Sequence, residues 1–251
     1  MSASPITPAV DLSAEKMLAA RTAVGWVREG MVVGLGTGST AAPFIRLLGQ
    51  RVRDEGLRIQ ATATSRASDE LAREVGIPLL EPRRGLRFDL TVDGADELDA
   101  QLRLIKGGGG ALLREKVIAT ASDYLLIVAD STKAVRQLGR FPLPLEVVPF
   151  ALPWVLDAVA GLGGAPVLRM SKTNPAEPAQ SDQGNLLVDC HFEAIADPAA
   201  LAAELLPIPG MVEHGLFLGL ASSAIIVESG QAMVWRPGQD PAPAARFTAL
   251  P

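Results

Sequence analysis

Apolar residues along the chain fall into two successive rhythms. Over 13–29, Met17, Ala20, Val24 and Val27 recur at helical spacing, with Ser13 placed to cap the start and Gly30 to stop the helix. A short apolar run over 31–35 enters a glycine-rich turn. Thr37 or Ser39 can then cap a second helix, which carries Pro43 in its first turn and runs towards Asp54. Apolar runs over 59–64, 88–92 and 124–129 read as strands, alternating with a helix over 68–75 and another that contains Glu115. Such alternation predicts a parallel, doubly wound sheet.

Beyond Gly139 the rhythm changes. Strands are predicted over 145–148, 166–170, 186–190 and 211–217, with helices over 153–159 and after Asp197, whose neighbour Pro198 suits a first helical position. The order β-α-β-β-α-β is that of a ferredoxin-like split unit. Apolar runs over 223–227 and 232–235 return to the first sheet. The expected fold is therefore α/β, a Rossmann-like doubly wound, mainly parallel sheet with an inserted ferredoxin-like α+β unit. The expected division is 1–139, 140–218 for the insertion, and 219–251 for the return, with a surface tail over 238–251 and a polar loop over 174–184.

Composition narrows the function. In 251 residues, 48% apolar content supports a sizeable core, while 20% charged residues and a net charge of -5 argue against a nucleic-acid partner. Any phosphate site must then be local. The single cysteine, Cys190, excludes an internal disulfide framework and a cysteine-rich zinc site. Residues 1–10 lack a basic segment followed by an apolar one, and no apolar run is long enough to span a membrane, so a soluble, cytoplasmic protein is expected.

Three segments can carry chemistry. Gly34-Leu35-Gly36-Thr37-Gly38-Ser39-Thr40 lies between a strand and a helix, where backbone N–H groups and the helix dipole attract an anion. Ser39 stands where a dinucleotide fingerprint needs glycine, and no lysine precedes Ser39-Thr40 as a Walker A loop requires. Phosphate binding and a purely structural tight turn both remain open. Asp93-Gly94-Ala95-Asp96-Glu97 follows a strand, so its carboxylates emerge where open α/β sheets bind ligands; a solvated turn, or an oxygen-ligated cation such as magnesium, would use the same residues. Lys106-Gly107-Gly108-Gly109-Gly110 leads into helix-forming residues that include Glu115. Four glycines cost backbone entropy and make sense where main chain must approach a ligand, yet Glu115 alone would be an ordinary acid near a helix start. Cys190 and His191 point to opposite faces of a strand and form no dyad. His214 reads as a packed or surface histidine, and Lys16 and Lys133 as surface lysines.

Taken together and in order, these three segments, with Thr64-Ser65-Arg66-Ala67-Ser68, Leu143-Pro144-Leu145-Glu146-Val147-Val148-Pro149-Phe150-Ala151, Asp182-Gln183-Gly184-Asn185 and Gly210-Met211-Val212-Glu213-His214-Gly215-Leu216-Phe217, strongly resemble type A ribose-5-phosphate isomerases over residues 16–227. The resemblance implies an aldose–ketose isomerase of the pentose phosphate pathway that interconverts ribose 5-phosphate and ribulose 5-phosphate through a cis-enediolate, with no cofactor or metal, in a homodimer or homotetramer. It implies Glu115 as proton acceptor, with Asp93, Asp96 and Lys106 also catalytic: Asp93 for ring opening and hydroxyl protons, Asp96 for orienting hydroxyls, Lys106 for the enediolate charge. Substrate contacts are implied for Lys16, Thr37, Gly38, Ser39, Thr40, Asp93, Gly94, Ala95, Asp96, Lys106, Gly107, Gly108, Gly109 and Lys133. Gln183 and the run Ala221-Ser222-Ser223 depart from the family pattern, in or beside the smaller unit. A metal-assisted hydride shift using Asp93, Asp96 and Glu97, and a non-catalytic phosphosugar sensor, are the competing readings; a pure sensor would have no need of Glu115.

Overall fold

Strands buried on both faces need no polar alternation, and that is how the central sheet is built. In the computed structural model, which describes residues 11–247, the first seven-stranded sheet contains β1 (Val32–Leu35), β2 (Gln60–Ala63), β3 (Leu90–Asp93), β6 (Leu125–Ala129), β12 (Ser223–Glu228), β13 (Gln231–Trp235) and β14 (Ala242–Pro243). Between β3 and β6 lie the two-residue strands β4 (Glu97–Leu98) and β5 (Leu104–Ile105). The sheet order is β14-β13-β12-β6-β3-β1-β2, parallel from β2 to β12 and antiparallel at β13 and β14. Side chains one apart leave opposite faces. Leu126 and Val128 of β6 and Ile225 and Val227 of β12 enter one core, while Leu125, Ile127, Ala224 and Ile226 enter the other.

Helices α1 (Leu12–Val24), α2 (Ala41–Asp54), α3 (Arg66–Glu74) and α4 (Leu112–Thr120) cover the sheet. Ala19, Ala20 and Ala23 of α1 meet Phe44, Ile45 and Leu48 of α2 in the first core. The chain runs β1 to β2 in one direction and then places β3 on the other side of β1. The strand order therefore reverses between β1 and β3, and a crevice opens there at the strands' carboxyl ends, the usual ligand position in such sheets.

The second sheet contains β7 (Leu143–Val147), β8 (Ala165–Leu168), β9 (Leu186–His191) and β10 (Met211–His214), in the order β10-β7-β9-β8 and antiparallel throughout. That is the arrangement a β-α-β-β-α-β split unit produces. Helices α5 (Leu152–Gly161) and α6 (Pro198–Leu205) contribute Val155, Val159 and Leu205 to its core, beside Leu145, Val188 and Cys190. A third, small sheet joins β4, β5 and β11 (Leu216–Phe217) in the order β11-β5-β4.

Several sequence expectations shift in the structure. Asp11, rather than Ser13, caps α1, accepting the N–H groups of Ser13 and Ala14, and the helix ends at Val24 rather than near Glu29. Neither Thr37 nor Ser39 caps α2; Thr40 stands at that position without a side-chain bond. Ser65 caps α3 by accepting from Ser68 N–H, so that helix begins at Arg66, two residues earlier than expected. The strand expected over 211–217 divides between two sheets at Gly215, whose N–H donates to Pro144 O and whose carbonyl accepts from Lys106 N. The expected tail over 238–251 is partly built in: Ala242 and Pro243 pair with β13, and Ala244 is buried, which an edge strand permits to proline because its ring lacks the donor a central strand needs. Residues 1–10 and 248–251, where the leader and the end of the tail were judged, lie outside the described residues. Among the described residues, no helix is long and apolar enough to cross a membrane.

Candidate active site

The crevice between β1 and β3 gathers the three glycine- and acid-rich segments. Thr37, Gly38, Ser39 and Thr40 follow β1; Gly94, Ala95 and Asp96 follow β3; Lys106, Gly107 and Gly109 lead into α4, which supplies Glu115; Lys133 comes from the turn after β6. All line one cleft. Asp93 and Gly108 lie just behind it, and Lys16 stands at its edge with its Nζ 3.0 Å from Ser39 Oγ.

Close approach of β1 to β3 explains one glycine. A Cβ on Gly36 would overlap the carboxylate and Cα of Asp93. With glycine there, Asp93 Oδ1 accepts from Thr37 N at 3.0 Å and from Gly94 N at 2.7 Å. The hydroxyl of Thr37 joins those of Thr64 (2.7 Å), Ser65 (2.8 Å) and Ser68 (3.3 Å), and Ser68 donates to Gly36 O. This hydroxyl cluster fixes the turn from below and leaves the first N–H groups of α2 without a side-chain acceptor.

A buried charge cluster forms the centre. Lys106 Nζ lies 3.0 Å from Asp93 Oδ2 and 3.4 Å from Glu115 Oε1, donates to Gly94 O at 2.5 Å, and sits 5.4 Å from the centre of the Phe217 ring. Its side chain is 2% exposed. Burial works against the ammonium, yet Asp93 and Glu115 outweigh it and hold Lys106 above its usual pKa. Burial pushes Glu115 up to about 8; Lys106 opposes this, and the charges of Asp93 and Asp96 add to it. Glu115 Oε2 is buried with no hydrogen-bond partner. Asp96 is likewise raised by burial, against the Gly108 N–H at 2.7 Å and the nearby charges of Lys106, Lys133 and Arg169.

Other chemistry-bearing residues lie outside the cleft. Glu97 does not join Asp93 and Asp96 in the cleft; its two carboxylate oxygens accept from Gly139 N and Phe141 N. His214 is packed, with burial and the Lys116 charge lowering its pKa to about 4. Cys190 is buried and His191 exposed, on opposite faces as expected. Glu15 receives both the N–H and hydroxyl of Ser131 on its carboxylate at 2.8 Å and so fixes the turn bearing Lys133. Arg169 reaches the glycine loop from 61 residues away along the chain. Nothing in its local sequence marks either residue. A second, larger cavity lined by Thr62, Arg66, Glu81, Arg114, Val117 and Gln183 shares none of the cleft's residues.

Fold and cleft together define an open α/β protein with a buried carboxylate–ammonium cluster beside a glycine-rich turn at a helix start. Comparison narrows this class. Residues 60–231 match the family model of ribose 5-phosphate isomerase A (phosphoriboisomerase A). The chain is 51% identical over 220 residues to the ribose-5-phosphate isomerase A of Jannaschia sp. (strain CCS1), covering 84% of this chain and 82% of that protein. It is similar to the solved ribose 5-phosphate isomerase A of Methanocaldococcus jannaschii, with a TM-score of 0.84 and 37% identity, covering 90% of this chain and 98% of that one. A D-ribose-5-phosphate isomerase solved in complex with phospho-erythronic acid superposes with a TM-score of 0.87 and 34% identity, covering 90% of this chain and 100% of that one. The chain belongs to the ribose 5-phosphate isomerase A family and is an isomerase.

Proposed function

We propose that this isomerase interconverts D-ribose 5-phosphate and D-ribulose 5-phosphate by moving a proton between C2 and C1, with Glu115 as the carrier. The observation that carries the reading is the state of Glu115: one oxygen is held by Lys106, the other is buried, unpartnered and at a cleft wall. A raised pKa brings its proton affinity closer to that of a weak carbon acid, which favours reversible transfer near neutral pH. Removal of the C2 proton leaves charge on a cis-enediolate oxygen. Lys106 and the glycine-loop N–H groups are preformed donors for it in a water-poor site. The carboxylate of the phospho-erythronic acid bound by a relative offers two oxygens on one carbon at the end of a phosphorylated polyol, an arrangement close to that enediolate.

The phosphate is assigned to the start of α2, with Ser39, Thr40, Lys16 and Lys133 supplying hydroxyls and charge. Asp93 is a poor group for ring opening, because it is 1% exposed and bound to Thr37 N, Gly94 N and Lys106. Its task is to hold Lys106. Asp96 lines the cleft and has an elevated pKa, which suits it to deliver a proton to the ring oxygen. No cofactor is needed for this sequence of steps.

We further assign residues 140–218 to a lid over the cleft, and the whole to a cytoplasmic homodimer or homotetramer. Phe150 and Trp154, with ring centres 5.7 Å apart and both exposed, support an apolar contact surface on that unit. The reaction is tested by incubating the protein with ribose 5-phosphate in deuterated water containing a chelator. Ribulose 5-phosphate carrying solvent deuterium at C1 is the expected product. Loss of turnover on chelation, or product that stays free of deuterium even after repeated interconversion, would contradict proton transfer by Glu115 and favour a metal-assisted hydride shift.

A further inference from the structure

The four-glycine loop has no side chains with which to hold itself, yet two of its peptides must keep one orientation for the cleft to work. Gly107 has φ +103° and Gly110 has φ +81°, a conformation ordinary side chains rarely adopt. Within the loop, Gly110 N donates to Gly107 O at 2.9 Å, and a side-chain restraint is added from the other sheet. Arg169, directly after β8, directs its Nη1 to Gly107 O at 3.1 Å and to Gly108 O at 3.3 Å. Its Nε and Nη2 form a fork on Asp189 of β9, at 2.8 Å and 2.5 Å. The pair is largely buried, with side-chain exposures of 14% and 24%.

In a trans peptide the C=O of one residue and the N–H of the next point in opposite directions. Fixing Gly107 O on Arg169 therefore turns Gly108 N–H away from it, and that N–H is found on Asp96 Oδ2 at 2.7 Å. Fixing Gly108 O turns Gly109 N–H away from Arg169 in the same manner, on a residue that lines the cleft opposite Thr37.

We propose that Arg169, locked by Asp189, is a positioning residue for the isomerisation: it aims Gly108 N–H at Asp96 and Gly109 N–H at the developing enediolate oxygen. It touches no substrate atom. This rests on the reaction proposed above, and it gives the four-stranded unit a direct share in the chemistry rather than only in covering the cleft. The fork geometry matters as well as the charge, since a lysine ammonium cannot serve two carbonyls and both carboxylate oxygens from one place.

The test compares Arg169→Met, Arg169→Lys and Asp189→Asn with the unaltered enzyme in turnover of ribose 5-phosphate, inhibition by phospho-erythronic acid and thermal melting. Misplacing an oxyanion donor by about an ångström costs on the order of 100-fold in rate. Expected, then, is a fall in kcat of about 10–100-fold for both Arg169 variants. KM should stay within about threefold, because the phosphate contacts are untouched, while affinity for the carboxylate inhibitor should fall alongside kcat. Asp189→Asn should move the same parameters in the same direction, and the Arg169→Met/Asp189→Asn double variant should be no worse than Arg169→Met alone. Full kcat in Arg169→Lys would overturn the proposal by reducing the residue to a charge. So would a change confined to KM, or a loss that merely follows the unfolded fraction. If Arg169→Met does not fold, unchanged kcat in both Arg169→Lys and Asp189→Asn overturns it. Failure of the underlying reaction would show separately, as an unaltered enzyme that leaves ribose 5-phosphate unconverted.

Discussion

Glu115 owes its raised pKa to burial, which outweighs the cation beside it. Its carboxyl is raised from 4.5 to about 8, so between those values the folded protein holds a proton that the unfolded chain has released. The stability contribution of this group consequently falls as pH rises across that window. Glu115→Gln removes the dependence. The variant is expected to gain thermal stability relative to the unaltered protein as pH climbs from about 5 to about 8, with the gap constant above that; melting curves at several pH values check it. The same pKa places the acid limb of kcat/KM near pH 8 rather than near 4.5. Lys106 is the counterpart. Replacing it by Met leaves the Asp93 carboxylate without its buried cation and should cost roughly 3 kcal/mol, the lower end for a broken buried pair, because Glu115 already holds its proton at pH 7. Chemical denaturation at pH 7 measures this.

At the level of elements, order was more legible than endings. Strand–helix alternation and the β-α-β-β-α-β run follow from apolar spacing, which burial enforces over whole segments. Helix starts depend instead on a single oxygen. Asp11 outcompetes Ser13, and Ser65 starts α3 ahead of the expected position, because each stands immediately before its helix with its side chain over the open N–H groups. Asp197 was readable because Pro198 follows it, and it accepts from Ala199 N and Ala200 N at 3.0 Å. Asp197→Ala should destabilise by about 1 kcal/mol, measurable as a lower denaturation midpoint at unchanged slope. The two-residue strands β4 and β5 carry too short an apolar signal to be seen, although they place Lys106. The Gln183 departure lies in a loop anchored by Glu146, whose Oε1 accepts from Ser181 Oγ at 2.6 Å and Asn185 Nδ2 at 2.8 Å. Gln183 itself is not among these anchors. The chemistry-bearing glycines were legible as a loop, but Gly36 was not distinguished from its neighbours. Its need arises across the sheet, and Gly36→Ala should displace Asp93 and depress kcat more than it alters KM.

Over the whole molecule, the site is an outcome of strand order. Thr37, Asp93, Lys106 and Glu115 lie up to 78 positions apart along the chain, yet reversal between β1 and β3 delivers them to one crevice. Sequence motifs supplied the residue names, since each motif sits at a strand end. They could not supply the contact of Arg169 with the glycine loop, which depends on how the four-stranded sheet meets that loop. The central claim is that Glu115 carries the transferred proton. It is tested most directly by the turnover of ribose 5-phosphate by Glu115→Gln beside the unaltered enzyme, both in chelator. The account predicts a loss of about 10²–10⁴-fold in kcat with substrate binding retained; near-normal turnover by the variant would contradict it.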